Sequence, residues 1–410
     1  MATDAKVAGT KTVEVLEDNP LFSKPVLSNS RLLFIVSILL FWLLLHGYAC
    51  VRIWQALAPT GVFKIGYVVV CILLSICLPI SMFLGMNSKM SLSFEFISTL
   101  RLIGSIWMVY ILYSTLCFLL VDIFRVIHYI KPFFPTFSHE HLVLWKRIAF
   151  LAMTLSIAIV MISGYIRYLH PRETRVMLTT RKSLHHWDGH QINILFFSDL
   201  HLNAMMSKTR LQAYVQRLTR EPYDILIVGG DLLDGDKEAW IARDFAGILK
   251  PLIPARGAFA VMGNHEYYME KSASVAFIKE SGFTLLRDSS CYLPGLIIAG
   301  REDASQPTRA PLSRWFSPTD SSFMILVDHQ PTDIEADIKA GADLVLCGHT
   351  HAGQLFPLTA IIGKIWKFAY GYAKMGQSDI VVSSGLGLWG PPFRIGSRSE
   401  WVRITIAEEK

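Results

Sequence analysis

Four apolar stretches crowd the first 170 residues of the chain, and no other feature restricts its fold so strongly. They lie between Arg31 and Arg52 (LLFIVSILLFWLLLHGYACV), from Val62 to Met86, from Leu102 to Leu120, and between Arg147 and Arg167 (IAFLAMTLSIAIVMISGYI). Each approaches the roughly 20 residues needed to cross a bilayer core. Four such runs, almost free of charge, carry too much apolar surface to hide inside a water-soluble domain. The composition agrees: the chain is 52% hydrophobic, with a mean hydropathy of +0.39, high for an ordinary soluble protein. The expectation is a tail over residues 1–31 and a four-helix transmembrane domain over 32–170. The first run does not have the shape of a signal peptide, because a long polar segment precedes it and no small-residue cleavage site follows.

Four spans put both ends of the chain on one side of the membrane. That side carries Lys6, Lys11, Lys24, Arg31, Lys89, Arg101, Arg167, Arg172, Arg175, Arg181 and Lys182, against Arg52, Lys64, Arg125, Lys131, Lys146 and Arg147 opposite. The positive-inside rule then favours a cytoplasmic C-terminal half in a multi-pass protein. The formal net charge of +6 fits charges flanking spans. No Lys/Arg-rich run with interleaved aromatics appears in the C-terminal half, so no nucleic-acid partner is expected. Six cysteines are present, with no CxxC and no disulfide-rich spacing, so cysteine chemistry is not indicated.

After Arg167 the texture changes. TRVMLTTRKS and HQINILFFSD read as strands rich in β-branched and aromatic residues, joined by LHHWDGH as in a hairpin. His185, His186 and His190 fall in that connection and are expected at the surface. Strands and helices then alternate: DILIVGGD, a helix over Lys237 to Leu249, GAFAVMGNH, a helix over Ser272 to Ser281, GLIIAG, FMILVDH, ADLVLCGH and DIVVSSG. Short apolar strands between helical stretches predict an α/β domain over 171–410, its strands buried on both faces.

Nearly every strand ends in residues that can bind metal. Asp199 and His201 follow one, Asp231 the next with Asp234 one turn on, then Asn264 and His265, His329, and His349 with His351. Singly, each has an ordinary reading. Asp234 reads best as a helix cap, Asn264-His265 as a turn, and His329 as a hydrogen-bonded core residue. Five strands delivering Asp, Asn and His to the edge where open α/β sheets bind ligands is a much narrower coincidence. The set offers oxygen and imidazole without thiolate, which suits Mn, Fe or Zn at a hydrolytic centre. Glycines before Asp231, Asn264 and His349 permit sharp turns and close approach.

In order and spacing, Asp199-x-His201, Gly230-Asp231, Gly263-Asn264-His265, His329 and Gly348-His349-x-His351 resemble the calcineurin-like metallophosphoesterase superfamily. The resemblance covers about residues 175–408. The wider context (SDLHL, GGDLLD, GNHEYY, GREDAS, GHTHAGQ, GLGLWGPPFR) is similar to its membrane-associated branch, transmembrane proteins with a metallophosphoesterase domain; Ala352 departs from a glycine frequent there. It implies a four-layer α/β/β/α sandwich of two mixed sheets. It also implies two divalent ions, with Asp199, His201 and His351 on one, Asn264, His329 and His349 on the other, and Asp231 bridging. His265 would be the catalytic residue that protonates the leaving oxygen or stabilises the transition state. The reaction implied is in-line attack by a metal-bridged hydroxide on a phosphomonoester, phosphodiester or pyrophosphate. Lipid-linked substrates are favoured by the membrane half, and the bilayer itself is an expected partner. Leu358 to Met375 mixes apolar, aromatic and basic residues and reads either as a partly buried loop with a helix or as a lid or membrane-facing wall; Arg394 reads either as a surface arginine or as a fork for phosphate. Two alternatives stay open: a non-catalytic binding or scaffold protein on the same fold, and a tethered hydrolase of soluble substrates.

Overall fold

In the computed structural model of the chain, residues 29–85, 93–132, 139–235, 237–319 and 321–409 are described. Most of the expected N-terminal tail lies outside them, as do Lys6, Lys11, Lys24 and Lys89 from the basic tally. The four apolar runs form α1 (Asn29–Leu57), α2 (Val62–Gly85), α3 (Phe94–Ile130) and α4 (His139–Leu169). All four are long and apolar enough to cross a membrane. Helix α3 exceeds its expected span at both ends. Its 37 residues would measure roughly 55 Å at 1.5 Å per residue, because neither flank holds a breaker until Lys131-Pro132 ends it. Arg52, assigned from sequence to a loop, lies within α1. It pairs with Asp122 of α3 at 2.6 Å, and Tyr48 Oη donates to the same carboxylate at 2.7 Å. A charge inside a span is tolerable when it is paired in this way.

The chain packs as two compact units. One holds the residues up to Tyr67 with Ile111–Met153, the other Val68–Tyr110 with Thr154–Lys410. Twelve strands lie in the second unit, counted over the described residues. The first five are β1 (Arg172–Thr180), β2 (Gln191–Phe197), β3 (Ile225–Val228), β4 (Ala258–Ala260) and β5 (Thr284–Leu285). Then come β6 (Ser289–Leu293), β7 (Leu296–Gly300), β8 (Phe323–Val327), β9 (Leu344–Cys347), β10 (Gly371–Met375), β11 (Ser378–Val382) and β12 (Glu400–Glu408). They make two mixed six-stranded sheets, ordered β1-β12-β2-β3-β4-β5 and β10-β11-β9-β8-β7-β6.

One expectation fails here. Strands β1 and β2 are not a hairpin, because β12 lies between them, parallel to β1 and antiparallel to β2. The C-terminal segment EWVRITIAE supplies the missing neighbour, its Val402, Ile404 and Ile406 alternating into the core between the sheets. His185, His186 and His190 are exposed, as expected.

Helices α5 (Lys208–Leu218), α6 (Lys237–Ala242), α7 (Phe245–Leu249), α8 (His265–Tyr268), α9 (Lys271–Glu280), α10 (Ile334–Lys339) and α11 (Leu358–Ile365) complete the unit. The helix expected over Lys237 to Leu249 is broken in two, with Asp244 in the left-handed region capping α7 through Gly247 N. Strand β2 shows how the layers form. Its Ile194 and Phe196 point into the core between the sheets, with Ile227, Ile325 and Leu346. Its Leu195 and Phe197 point the other way, onto α5, α7 and α9 through Leu211, Phe245 and Ile278. Met324, Leu326 and Val345 face outward from the second sheet beneath Ile334 of α10. Helix, sheet, sheet, helix is the resulting order. Removing one central ring, as in Phe196→Ala, would cost about 3–5 kcal/mol.

Candidate metal centre

The strands that end at the site deliver their residues through backbone strain. Asp199, His201, Asp231, His349 and His351 all have positive φ, between 47° and 70°. Such conformations cost L-residues of order 1–3 kcal/mol each and gather at functional sites. The loops hold one another in place: Asp199 N donates to Gly230 O at 2.9 Å, His201 N to Asp231 O at 3.0 Å, and Gly348 N to His329 O at 2.9 Å. Gly230 turns the chain at φ +90°, whereas Gly263 and Gly348 serve close approach; a Cβ on either would meet the carboxylate of Asp231 or Asp199.

These loops bring seven of the expected residues together. Asp199, His201 and His351 form one buried cluster, and Asp231, His329 and His349 a second; a third grouping joins His201, Asp231 and His265. Within each, one ligand atom per residue lies within 4.8 Å of the others. His201 Nε2 and His351 Nε2 face each other at 3.1 Å. His329 donates Nδ1–H to Gly229 O at 2.7 Å, which orients the ring and sets Nε2 3.1 Å from Asp231 Oδ2. Asn264 completes the set. Its Nδ2 donates to Tyr268 Oη at 3.1 Å, while its Oδ1 is buried without a hydrogen-bond partner among the described residues. A buried acceptor without a donor is costly, and a cation resolves it. The residues present therefore fit divalent metal.

Electrostatics point the same way. Burial holds His351 well below the ordinary imidazole pKa, with His201 adding to the effect. Burial, then His329, lowers His349 to about 4. Both rings are thus neutral near pH 7 and offer lone pairs. Burial opposes the charge of Asp231, but His329 and His201 outweigh it and hold the carboxyl below its usual range.

Two supporting residues escaped the reading of the sequence. Asp234 is not a helix cap; its Oδ1 accepts from His265 Nδ1 at 3.0 Å, and its Oδ2 lies 3.7 Å from His201 Nδ1. Glu266, fully buried, accepts from the backbone N–H of Asp231, Leu233 and Gly263 at 3.0, 2.9 and 2.7 Å. It thereby ties two ligand loops together. A third residue needs correction. Arg394 is wholly buried, with Nη1 donating to His351 O at 2.8 Å and Nη2 to Ser384 O at 2.6 Å and Gly387 O at 2.8 Å. A guanidinium spent on carbonyls beneath His351 is no open fork for phosphate; it braces that loop.

Aromatic rings flank the site. Tyr268 and Trp389, 71% and 58% exposed, have ring centroids 5.1 and 6.4 Å from His265, and Trp366 stands edge-on to His349 at 5.3 Å. In the segment read as a lid or wall, Leu358, Ile361 and Ile365 of α11 are exposed, and Lys367 pairs with Glu335.

Two mixed sheets with a buried oxygen-and-imidazole cluster at their edge define an α/β domain suited to metal binding. The chain belongs to the metallophosphoesterases: the calcineurin-like phosphoesterase family profile matches residues 192–353. A metallophosphoesterase of Aquifex aeolicus is 34% identical over 228 residues, covering 53% of this chain and 86% of that protein. One of Helicobacter pylori is 33% identical, over 51% of this chain and 58% of its own length. A zebrafish transmembrane protein with metallophosphoesterase domain is 28% identical, over 53% of each chain. The chain thus spans little more than half of these last two relatives.

Proposed function

We propose that this protein is a membrane-anchored phosphohydrolase that works through two divalent ions, Mn, Fe or Zn, on a lipid-linked phosphomonoester, phosphodiester or pyrophosphate. The observation that carries it is the pair of triads, linked because Asp231 of the second also groups with His201 of the first. Asp199, His201 and His351 would hold one ion, and Asn264, His329 and His349 the other, with Asp231 between. Such ions, when bound, lower the pKa of a water, orient the phosphoryl group and offset charge on the attacking and leaving oxygens. The chain supplies the rest. His265, held at Nδ1 by Asp234, keeps Nε2 free to give a proton to the leaving oxygen. The flanking aromatics favour an amphipathic substrate. Four spans exceed what tethering needs, since one already attaches a protein for good. The basic asymmetry around the spans supports a cytoplasmic catalytic domain.

The test is turnover by the purified full chain with Mn²⁺. The panel is p-nitrophenyl phosphate, bis-p-nitrophenyl phosphate, phosphatidic acid and an isoprenyl pyrophosphate. Metal-dependent hydrolysis with the highest kcat/KM on a lipid is expected. Activity confined to water-soluble nucleotides or phosphoproteins would remove the lipid from the reading.

A further inference from the structure

Two cavities of opposite character meet at Leu102, Tyr165 and Pro392. The larger, ≈ 700 Å³, lies among α2, α3 and α4 and is walled by Leu74, Ile106, Trp107, Ala158, Met161 and Phe393. The smaller, ≈ 270 Å³, is more polar, with Glu95, Asn203, Arg210 and Arg243 in its wall, and it touches His201, whose imidazole is itself buried. All of these residues belong to one compact unit. The join is built by aromatic contact. The Tyr165 and Phe393 rings meet edge-on at 6.4 Å, and Tyr165 and Tyr168 both accept from Arg210, at 3.3 and 2.9 Å.

The charges of the polar chamber are unequal. Arg243 pairs with Glu95 at 2.7 Å and also donates to Ala204 O and Met206 O. Arg210 meets only phenol oxygens, and among the described residues no carboxylate pairs with it. A chamber with one uncompensated guanidinium that borders the residue carrying a cluster imidazole suits an anion. A chamber of Leu, Ile, Trp and Phe between membrane-spanning helices suits a hydrocarbon chain.

The geometry points to a lateral lipid-binding site: the tail of an anionic phospholipid lies between α3 and α4, and its phosphate head passes Arg210 toward His201. This rests on the lipid-phosphohydrolase reading and adds the route by which substrate enters from the bilayer. Tyr165 and Pro392 form the neck that admits a head on one side and a chain on the other. Bulk lipid filling the crevice without selection is the competing occupant.

The experiment uses the full chain in phosphatidylcholine nanodiscs with phosphatidic acid bearing a diazirine on its acyl chain. Adducts should concentrate on Ile106, Trp107, Met161 and Phe393. Unlabelled phosphatidic acid should compete them away, extra phosphatidylcholine should not, and Arg210→Gln should lower the yield at least fivefold. Adducts spread evenly over bilayer-facing positions such as Phe124 and Leu151, or indifferent to competitor, would overturn the site. A second readout is the ratio of kcat/KM on phosphatidic acid to that on bis-p-nitrophenyl phosphate. Filling the crevice with Ala158→Trp or Ile106→Trp should lower that ratio at least tenfold, and an unchanged ratio with lipid still cleaved would also overturn the site. If the wild type binds the photolipid in the crevice but cleaves no lipid, the substrate reading fails and the binding site stands.

Discussion

Asp234 places one carboxylate oxygen 3.0 Å from His265 Nδ1 and the other 3.7 Å from His201 Nδ1. A single carboxylate therefore orients His265 by a hydrogen bond and sets its other oxygen near His201, beyond hydrogen-bond reach. Supporting carboxylates of this kind set which nitrogen stays free, and losing them typically costs 10–100-fold.

Asp234→Asn should therefore lower kcat by on the order of 10–100-fold, with bound metal weakened but detectable. His265→Ala should keep its metal and lose about 10²–10⁴ in kcat. Elemental analysis beside steady-state kinetics separates the two, and full activity in Asp234→Asn would show that His265 is oriented by something else.

The clustered Asp and His residues were legible because each follows its own strand, and their residue types are those that suit metal. Asp234 and Glu266 were not, because an acid one turn beyond a strand, or in the first turn of a helix, looks like capping chemistry until the fold sets a histidine or a second loop against it. Arg394 misled for the opposite reason. An arginine in a Gly-Pro loop looks exposed, and only its burial under His351 shows the guanidinium to be occupied. The two sheets followed from alternating apolar strands, yet the order β1-β12-β2 did not, since pairing a C-terminal strand between two earlier ones leaves no mark in local pattern.

Glu266→Ala strips the acceptor from three buried N–H groups. At about 1–3 kcal/mol for each group left unsatisfied, the variant should melt well below the wild type and bind metal poorly. A melting temperature equal to wild type would mean that water or another side chain replaces the carboxylate.

Ala352 sits at φ 49°, a conformation that costs an L-residue about 1–2 kcal/mol. Ala352→Gly should relieve it, offset by about 0.4–1 kcal/mol of unfolded-state entropy. The expected result is a melting temperature equal to or slightly above wild type, with unchanged metal content. A clear fall would show that the methyl group packs usefully where it is.

A cysteine appended after Lys410, in a background without the native cysteines, should resist a membrane-impermeant maleimide in intact cells and react after permeabilisation. This follows from the basic asymmetry of the segments around the spans. Labelling before permeabilisation would set the catalytic domain outside.

The most direct test of the central claim is the metal count of the purified full chain after growth with Mn²⁺, Fe²⁺ or Zn²⁺. Two ions per chain are predicted in the wild type. Asp231→Asn, which removes the charge that groups with His201 as well as with His329 and His349, should retain fewer than one and hydrolyse no phosphoester. One ion or none in a folded, metal-supplied wild-type preparation would contradict the dinuclear account.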